Sequence, residues 1–548
     1  MQKTFYTLVL LTSLVLFGNI SKAQYVFEIL PFHAVTKGPL PENIVAIDTF
    51  LYCAAGNDTS GFEPWISDGT LAGSRMIKDI YPGNNSAHAG NFTSYNGKVY
   101  FSSNDGTNGY ELWVTDGTTN GTNMVKDINP GVLYSYPNEL VAFKGKLLFW
   151  ADDGTNGREL WETDGTTNGT QLLKDVTPGS AGTKASNSRP LNYTELNGKM
   201  YFLINYELWE TDGTTNGTHV ATITSAGFGG LELITLFNNK IYLTTKNGNS
   251  FWETDGTVNG TKKVKDIGAR SDIVVLNNKM YFAGRENSSI GVELYVSDGT
   301  TNGTQLVKDI YPSNYKSSDP SSLTVSGNQL FFVANDSIHG KELWVTDGTT
   351  NGTKLVKDIF FLPGMPTGGA GINNLTAFDS SIFFSANDTF PSTREDLWVS
   401  DGTATGTKKL LDQGSNKFYE VNHNEVPFLV CNNNMYFRAI TDSFPWSGNI
   451  VTEYALWKMT DTSKKTQPPT NITKTKTTNN ITIAPNPAHD KVTIGFDKAY
   501  NNAQLSIVDI TGKMILNKPI DATQKVVEVS LPEVSTGVYI LNIHHDEG

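Results

Sequence analysis

The sequence predicts an all-β protein, with a single large β-propeller followed by a small Ig-like β-sandwich. The main observation is a unit that recurs eight times, at intervals of 43 to 54 residues, and reads most clearly as Glu-Leu-Trp-Val-Thr-Asp-Gly-Thr at residues 111–118. A repeat of this length is typical of propellers and solenoids. Aromatic residues make up 11% of the chain and glycine occurs 51 times, which suits short strands joined by tight turns. The other copies place the same aspartate at Asp68, Asp164, Asp212, Asp255, Asp298, Asp347 and Asp401.

Each unit reads as four short antiparallel strands. In the copy from residue 91 to 130, segments at 92–95, 98–102, 111–115 and 123–128 are separated by Asn-Gly and Asp-Gly turns. The second and third segments carry consecutive apolar residues, which indicates strands covered on both faces. A propeller blade between two neighbours has this pattern. The fourth segment carries Lys126 and Asp127, and we interpret these charges as preventing this edge strand from pairing with the edge of another sheet.

The number of blades follows from the second strands. Segments of this type occur nine times, but the ninth unit lacks a fourth strand of its own. Residues 25–31 resemble the fourth strand at 306–312, so we expect them to complete the ninth blade and close the ring. We therefore predict nine four-stranded blades. Eight blades with one irregular unit, and an open solenoid, are the alternatives.

The repeated phrase also supports a family resemblance. Glu-Leu-Trp-x-x-Asp-Gly-Thr, with Gly-Thr a few residues further on, resembles the ELWxxDGT repeat proteins of secreted bacterial chains, over roughly four-fifths of this sequence. That family is named after its sequence rather than an activity. The resemblance therefore implies no substrate.

Four segments are predicted along the chain. Residues 1–23 read as a signal peptide, with Lys3, an apolar stretch at 8–17, and Ser21 and Ala23 before the cleavage site. Residues 24–462 form the propeller, and residues 463–480, rich in Thr, Lys, Asn and Pro, form an extended linker. Residues 481–548 alternate apolar and polar positions between turn signals, as in a β-sandwich. No later apolar run is long enough to span a bilayer, so we expect no transmembrane segment after signal removal.

The last segment has a resemblance of its own. Pro-Asn-Pro at 485–487, Asp-x-Thr-Gly-Lys at 509–513 and Thr-Gly-Val-Tyr at 536–539 resemble the type A sorting domain of the type IX secretion system. This resemblance implies that residues 481–548 engage that secretion machinery, in a Bacteroidetes-type bacterium. The segment departs from the family at Ala484, where an aromatic residue is usual. It also stops at Gly548, where family members add a final strand ending in basic residues, which leaves open whether its last strand is present.

Charge and cysteine content restrict the partners. The net charge of −13 argues against a nucleic-acid partner, because such a partner requires a basic face. The chain contains two cysteines, Cys53 and Cys431, which would lie in neighbouring blades of a closed ring. The sequence leaves open whether they pair, and we favour two separate buried thiols.

No residue pattern predicts a catalytic or cofactor-binding site. The aspartate of Asp-Gly-Thr occurs in every copy, which favours a role as turn cap over catalysis. The loops around Asp105, Asp152 and Asp153 are rich in oxygen ligands and are weak candidates for Ca²⁺. The twelve-residue calcium loop with its closing glutamate is absent. We therefore predict no cofactor, with Ca²⁺ as the alternative.

The expected function is non-enzymatic. We predict a secreted or surface-attached propeller that binds or scaffolds a protein or glycan and is exported by type IX secretion. Binding would use the ring face on which the irregular loops gather, at residues 180–190, 312–320, 360–371 and 442–452. The alternative is a polysaccharide-acting enzyme, a glycosidase or a lyase, with its site in the central channel.

Overall fold

The structure is a computed structural model of the chain. It describes residues 25–30, 41–57, 59–70, 72–178, 191–223, 230–245, 250–286, 290–313, 315–361, 369–389, 395–410, 420–421, 428–441, 453–461, 482–484, 491–495, 501–509, 514–519, 526–530 and 539–546. The predicted signal peptide and the predicted linker lie outside these residues. By contacts between residues the chain divides into Met1–Ser463 and Lys464–Gly548.

The first unit is a β-propeller of nine four-stranded blades, as the repeat pattern predicts. The N-terminal strand β1 is Tyr25–Ile29. Blade 1 contains β2 Glu42–Ile47, β3 Phe50–Asn57, β4 Gly61–Ser67 and β5 Arg75–Met76. Blade 2 contains β6 Gly90–Tyr95, β7 Lys98–Asn104, β8 Tyr110–Thr115 and β9 Asn123–Lys126. Blade 3 contains β10 Asn138–Phe143, β11 Lys146–Asp152, β12 Arg158–Thr163 and β13 Gln171–Lys174.

The next three blades follow the same order. Blade 4 contains β14 Leu191–Leu196, β15 Lys199–Ile204, β16 Glu207–Thr211 and β17 His219–Val220. Blade 5 contains β18 Leu231–Phe237, β19 Lys240–Thr245, β20 Phe251–Thr254 and β21 Lys262–Lys265. In blade 6 the first strand is divided into β22 Gly268–Ala269 and β23 Val274–Leu276, followed by β24 Lys279–Arg285, β25 Glu293–Ser297 and β26 Gln305–Lys308.

The last three blades complete the ring. Blade 7 contains β27 Ser321–Ser326, β28 Gln329–Asn335, β29 Lys341–Thr346 and β30 Lys354–Lys357. Blade 8 contains β31 Asn373–Phe378, β32 Ser381–Ala386, β33 Glu395–Ser400 and β34 Lys408–Lys409. In blade 9 the first strand is divided into β35 Glu420–Val421 and β36 Leu429–Cys431, followed by β37 Asn434–Thr441 and β38 Glu453–Asp461. β35 pairs with both β33 and β37, which joins blades 8 and 9 into one sheet.

The N-terminal strand closes the ring. β1 pairs antiparallel with β38, and the register runs from Tyr25 opposite Asp461 to Ile29 opposite Trp457. The ring of Tyr25 also packs edge-on against Phe383 of blade 8, with centroids 5.4 Å apart. The prediction that the N-terminal segment supplies the missing fourth strand is therefore confirmed. β1 thereby becomes the outer strand of the ninth blade and covers the edge of β38.

Apolar side chains of neighbouring blades share the core. One buried cluster combines Tyr52 and Ile66 of blade 1 with Phe101 and Trp113 of blade 2, and similar clusters recur around the ring. Cys53 and Cys431 belong to one such cluster, where blade 9 meets blade 1, and both are buried free thiols. The favoured prediction of two unpaired thiols agrees with this arrangement.

The antiparallel order of the strands gives the ring two distinct faces. Connections from second to third strands, and from a fourth strand to the next blade, leave at the same edge of each sheet. We call this the loop face. The opposite face carries the Asn-Gly turns and the Asp-Gly-Thr turns, and we call it the turn face.

The second unit contains two antiparallel sheets of three strands. One sheet has the order β39–β40–β43, where β39 is Thr482–Ala484, β40 is Lys491–Gly495 and β43 is Val526–Ser530. The other has the order β42–β41–β44, where β41 is Asn501–Asp509, β42 is Met514–Pro519 and β44 is Tyr539–Asp546. No helix among the described residues is long and apolar enough to cross a membrane.

Candidate functional site

The Asp-Gly-Thr segments form the turns between third and fourth strands. Asp116 Oδ1 accepts hydrogen bonds from the backbone N–H of Thr118 at 2.9 Å and from its hydroxyl at 2.7 Å. Gly117 has a φ of +85°, a conformation that side chains disfavour. The hydroxyl hydrogen bond holds the pKa of Asp116 below its ordinary value. The same bonds recur in the other seven copies, so the prediction of a turn cap is confirmed.

Lysines of the fourth-strand segment join neighbouring blades. Lys126 Nζ of blade 2 donates a hydrogen bond to Thr170 O of blade 3 at 2.7 Å and lies 5.9 Å from the centroid of Trp161. Equivalent hydrogen bonds join Lys78 to Thr122, Lys265 to Thr304, Lys308 to Thr353 and Lys357 to Thr407. The interpretation that Lys126 only prevents edge-to-edge pairing is therefore incomplete, because its ammonium group also donates a hydrogen bond to the next blade.

The glutamate of the repeat anchors the loop face. Glu111 is fully buried, and its carboxylate accepts hydrogen bonds from Ile128 N at 2.9 Å, Asn129 N at 3.3 Å and Ser135 Oγ at 2.6 Å. These donors belong to the connection from blade 2 to blade 3. Burial raises the pKa of Glu111 to about 7, against the lowering effect of the hydrogen bonds. One side chain on a rigid strand thus fixes the start and the end of a loop.

The same anchor occurs in several other blades. Burial raises the pKa of Glu63 and of Glu342 to about 8. Both carboxylates accept hydrogen bonds from the backbone N–H groups of the residues 17 and 18 positions further along the chain. Glu159 and Glu293 likewise accept a hydrogen bond from a backbone N–H 17 residues further along, and Glu293 also accepts one from Ser318 N. At the equivalent position blade 4 has Glu207, which is exposed, so the anchor is not a feature of every blade. The sequence analysis missed it, although the spacing of Glu to the following Lys-Asp-Ile was a usable signal.

The weak calcium candidates act inside their own loops. Asp105 Oδ1 accepts N–H groups of Thr107 and Asn108, and Oδ2 accepts the Asn108 amide. Asp153 makes the same bonds one blade further on, and Asp152 Oδ1 accepts Gly154 N. In the part of the chain that the structure describes, no group of three or more His, Cys, Asp or Glu could hold a metal ion. These oxygens shape turns.

Exposed aromatic residues gather on the loop face between blades 2 and 3. The ring of Tyr110 stacks on Tyr136 at 5.5 Å with an angle of 20°, and Tyr134 meets both rings edge-on. Tyr134 is 42% exposed and Tyr136 is 52% exposed. Val132 and Leu133 of the same connection are more exposed still. Such a group of large side chains in water marks a candidate interaction surface.

The frame beneath the tyrosines is rigid. Ser135 N and Tyr136 N both donate to Tyr110 O, at 3.0 and 3.2 Å, and Asn129 Nδ2 donates to Tyr134 O at 3.2 Å. Tyr136 has a φ of +46°, which is strained for a bulky residue and persists because its surroundings fix it. We call Tyr110, Tyr134 and Tyr136 the tyrosine platform.

A second aromatic pair lies one blade earlier. Phe62 and His88 stack at 5.6 Å with an angle of 16°, and the side chain of His88 is exposed. His88 Nδ1 lies 3.7 Å from the carboxylate of Glu42. The pKa of Tyr110 is raised mainly by burial, then by the neighbouring Tyr136 and Tyr134 and by the negative charge of Glu42.

A cavity of about 780 Å³ lies where the first strands of blades 6, 7 and 8 face the channel. Its lining includes Arg270, Asp272 and Thr324, together with Ser322 and Asn374, whose φ values are +54° and +55°. Asp272 is the single carboxylate among the described lining residues. Ser271, Ser321 and Ser322 add further polar groups to the lining.

Of the irregular loops chosen from the sequence, two are partly described. Tyr315, in the segment 312–320, is 73% exposed, and Phe361, in the segment 360–371, is 71% exposed. Both belong to connections from a fourth strand to the next blade, so they lie on the loop face. Residues 180–190 and 442–452 are outside the described residues. The tyrosine platform was not among these choices.

Comparison with known families identifies the C-terminal segment. Residues 482–548 match the model described as a secretion system C-terminal sorting domain. The tail is a type IX sorting domain. It indicates a secreted or cell-surface protein of a Bacteroidetes-type bacterium that engages the type IX secretion machinery. A search of curated proteins finds no match to the chain.

Solved structures similar to this chain share only low identity with it. The surface component PorZ of the type IX secretion system of Porphyromonas gingivalis is 10% identical over 92% of this chain and 84% of its own, with a TM-score of 0.23. A prolyl endopeptidase is 12% identical over 76% and 54%, with a TM-score of 0.37. A puromycin hydrolase is 11% identical over 65% and 60%, with a TM-score of 0.31. This chain thus spans 60% or less of the length of either enzyme, and these likenesses assign it no activity.

Proposed function

We propose that the protein is a secreted or surface-attached, non-enzymatic propeller that binds an extracellular protein or glycan through its loop face. The observation that carries the proposal is the tyrosine platform, an exposed set of rings held on a fixed backbone. Tyrosine offers a large apolar surface and a hydroxyl with few rotatable bonds, so ordering it on binding costs little entropy.

The backbone around the platform supports a binding role. The Glu111 carboxylate and the bonds to Tyr110 O hold the connection in place before any ligand arrives. A preformed surface loses less conformational freedom on association than a mobile one. The positive φ of Tyr136 recurs at the equivalent positions of other connections, so it belongs to the shape of the connection, and the tyrosines are what distinguish this one.

The alternative of a polysaccharide-acting enzyme would use the channel cavity. Most glycosidases need two carboxyl groups, about 5–10 Å apart, on either side of the scissile bond. The described lining supplies Asp272 as its one carboxylate, with the cationic Arg270 two residues earlier in the same lining. This supports binding over turnover as the better proposal.

The test uses the mature full-length protein. We expect it to bind ligands on a glycan array or in a panel of extracellular proteins without hydrolysing chromogenic glycosides, and expect Tyr110→Ala/Tyr136→Ala to abolish that binding. Phe50→Ala, an exposed aromatic side chain on the turn face, is the control and should bind normally. Turnover that disappears in Asp272→Asn would contradict the proposal.

We also infer that the repeats belong to the ELWxxDGT type and that the tail is a type A sorting domain. The repeated residues 111–118 and the order of motifs in residues 485–539 support both assignments. Fractionation of the producing cells should find the protein outside the outer membrane or on its surface. Retention of the full chain in the periplasm would contradict export by this route.

A further inference from the structure

Two aromatic platforms of the same construction lie in adjacent blades. Phe62 immediately precedes the anchoring Glu63, as Tyr110 precedes Glu111. Ala87 N and His88 N donate to Phe62 O, at 2.8 and 3.1 Å, as Ser135 N and Tyr136 N donate to Tyr110 O. The φ of His88 is +44° and that of Tyr136 is +46°. The two ring pairs therefore occupy equivalent places, one blade apart.

The fold does not require aromatic residues at these places. In blade 6 the equivalent backbone bond joins Asp319 N to Val292 O at 3.2 Å, and in blade 7 Ala370 N donates to Lys341 O at 3.0 Å. Asp319 and Gly371 there adopt the same positive φ. Among the described residues, the stacked pair at this position occurs in blades 1 and 2 alone. Its presence thus reflects something other than construction of the ring.

We propose that the ligand is a neutral glycan chain that lies across both platforms, which rests on the binding function proposed above. A sugar ring presents C–H groups on its faces and hydroxyls around its edge. The aromatic faces pack against the C–H groups of the sugar. His88, Glu42 and the tyrosine hydroxyls form hydrogen bonds with the sugar hydroxyls.

The spacing and the charge favour this class of ligand. A polymer of repeating units engages two equivalent sites at once, and the second contact is then intramolecular and strengthens the first. Glu42 lies beside the Phe62–His88 pair, and the chain carries a net charge of −13, so acidic glycans are disfavoured. A protein partner would in addition cover Val132 and Leu133, the most exposed aliphatic side chains of the platform connection, which a sugar chain on the aromatic faces need not touch.

The experiment is calorimetric titration of the mature full-length protein with neutral cello-, xylo- and laminari-oligosaccharides, from disaccharides to octasaccharides. We expect binding of at least one series, with affinity that rises with length. His88→Ala and Tyr136→Ala should each weaken the longest bound oligomer about tenfold and flatten the dependence on length. Val132→Ala/Leu133→Ala and Phe50→Ala, the latter on the turn face, are the controls and should bind like the wild type. Melting temperatures should stay unchanged in all variants.

Each other outcome has a definite meaning. Absence of binding to all three series, or an affinity independent of length, overturns the two-platform glycan site. Binding to a purified extracellular protein that Leu133→Ala weakens would overturn the glycan assignment but keep the proposed function. If Tyr110→Ala/Tyr136→Ala binds every ligand as the wild type does, both proposals fail.

Discussion

Replacement of Glu111 by alanine is expected to release the connection that carries the tyrosine platform. The buried carboxylate accepts three hydrogen bonds from that connection, two of them from backbone amides. The Ser135 hydroxyl can still donate to a second acceptor, Tyr110 O at 2.9 Å, so losing its hydrogen bond to Glu111 costs little free energy. Ile128 N and Asn129 N lose the acceptor they use. The effect should therefore appear first at these two amides.

The size of the effect follows from those two donors. A buried donor left without an acceptor costs about 1–3 kcal/mol. The bond to Ile128 N is well formed at 2.9 Å, whereas that to Asn129 N is weak at 3.3 Å. We therefore expect a loss of about 3 kcal/mol in the free energy that keeps the connection closed. This corresponds to roughly 100-fold faster hydrogen exchange at both amides.

Hydrogen exchange followed by mass spectrometry measures this change directly. Glu207→Ala is the matched control, because Glu207 occupies the same repeat position in blade 4 but is exposed. It should leave both the exchange rates and the melting temperature nearly unchanged. If Ile128 N and Asn129 N stayed protected from exchange in Glu111→Ala, the anchoring role would be refuted. The same holds if Glu207→Ala increased the exchange of these two amides as much as Glu111→Ala does.

Three further predictions concern pH, the repeated turn and ring closure. The pKa of Glu111 in the folded protein is about 7, above its ordinary 4.5, so the folded state binds this proton more tightly than the unfolded state. The stability gained from this proton is present below pH 4.5 and lost as pH rises through 7. The decline in melting temperature between pH 5 and 8 should therefore be smaller in Glu111→Gln. A Cβ at Gly121 would overlap the Asp116 carboxylate, so Gly121→Ala should destabilise by about 2 kcal/mol, and less when combined with Asp116→Ala. Tyr25→Ala removes the buried ring packed on Phe383 and should lower stability by about 3 kcal/mol, with faster exchange in residues 453–461.

Each of these has a result that contradicts it. An identical pH profile in Glu111→Gln and the wild type would mean that another group titrates. Strictly additive effects at Gly121 and Asp116, measured by urea denaturation, would show that the two residues do not share space. Unchanged exchange in residues 453–461 of Tyr25→Ala would show that the ring stays closed without this contact.

The blade pattern was predictable because its signals are local. Turn residues and consecutive apolar positions lie within a dozen residues of one another, so nine blades could be counted from the sequence. The closing strand was also accessible, since residues 25–31 repeat the fourth-strand pattern that the ninth unit lacks. Its pairing with β38 follows from the need to satisfy both free edges.

The roles of side chains whose partners lie far away in the sequence were harder to predict from the sequence. Lys126 looks like an exposed edge residue until its acceptor, Thr170 O, is known to lie 44 residues away in the next blade. Glu111 adjoins a strand end and a polar loop, a context typical of exposed glutamate. Its burial depends on a connection that folds back over it.

The tyrosine platform could not be identified from composition. In an aromatic-rich chain, the segment at 132–136 reads equally well as core or as surface. Exposure decides between these, and exposure depends on the positive φ of Tyr136 and on the bonds to Tyr110 O. Comparison between repeats, rather than any single motif, is what distinguishes this position.

Closure by β1 has a consequence for the order in which the protein is made. Glu28 and Lys458, whose side chains meet at 3.3 Å across the closing pair, are 430 residues apart in sequence. A chain delivered from its N-terminus must hold β1 unpaired until almost the entire propeller has followed, which makes sealing a late and slow step. Its partner strand β38 precedes the sorting domain at residues 482–548. The sorting domain therefore emerges after every strand needed for a closed ring has been delivered.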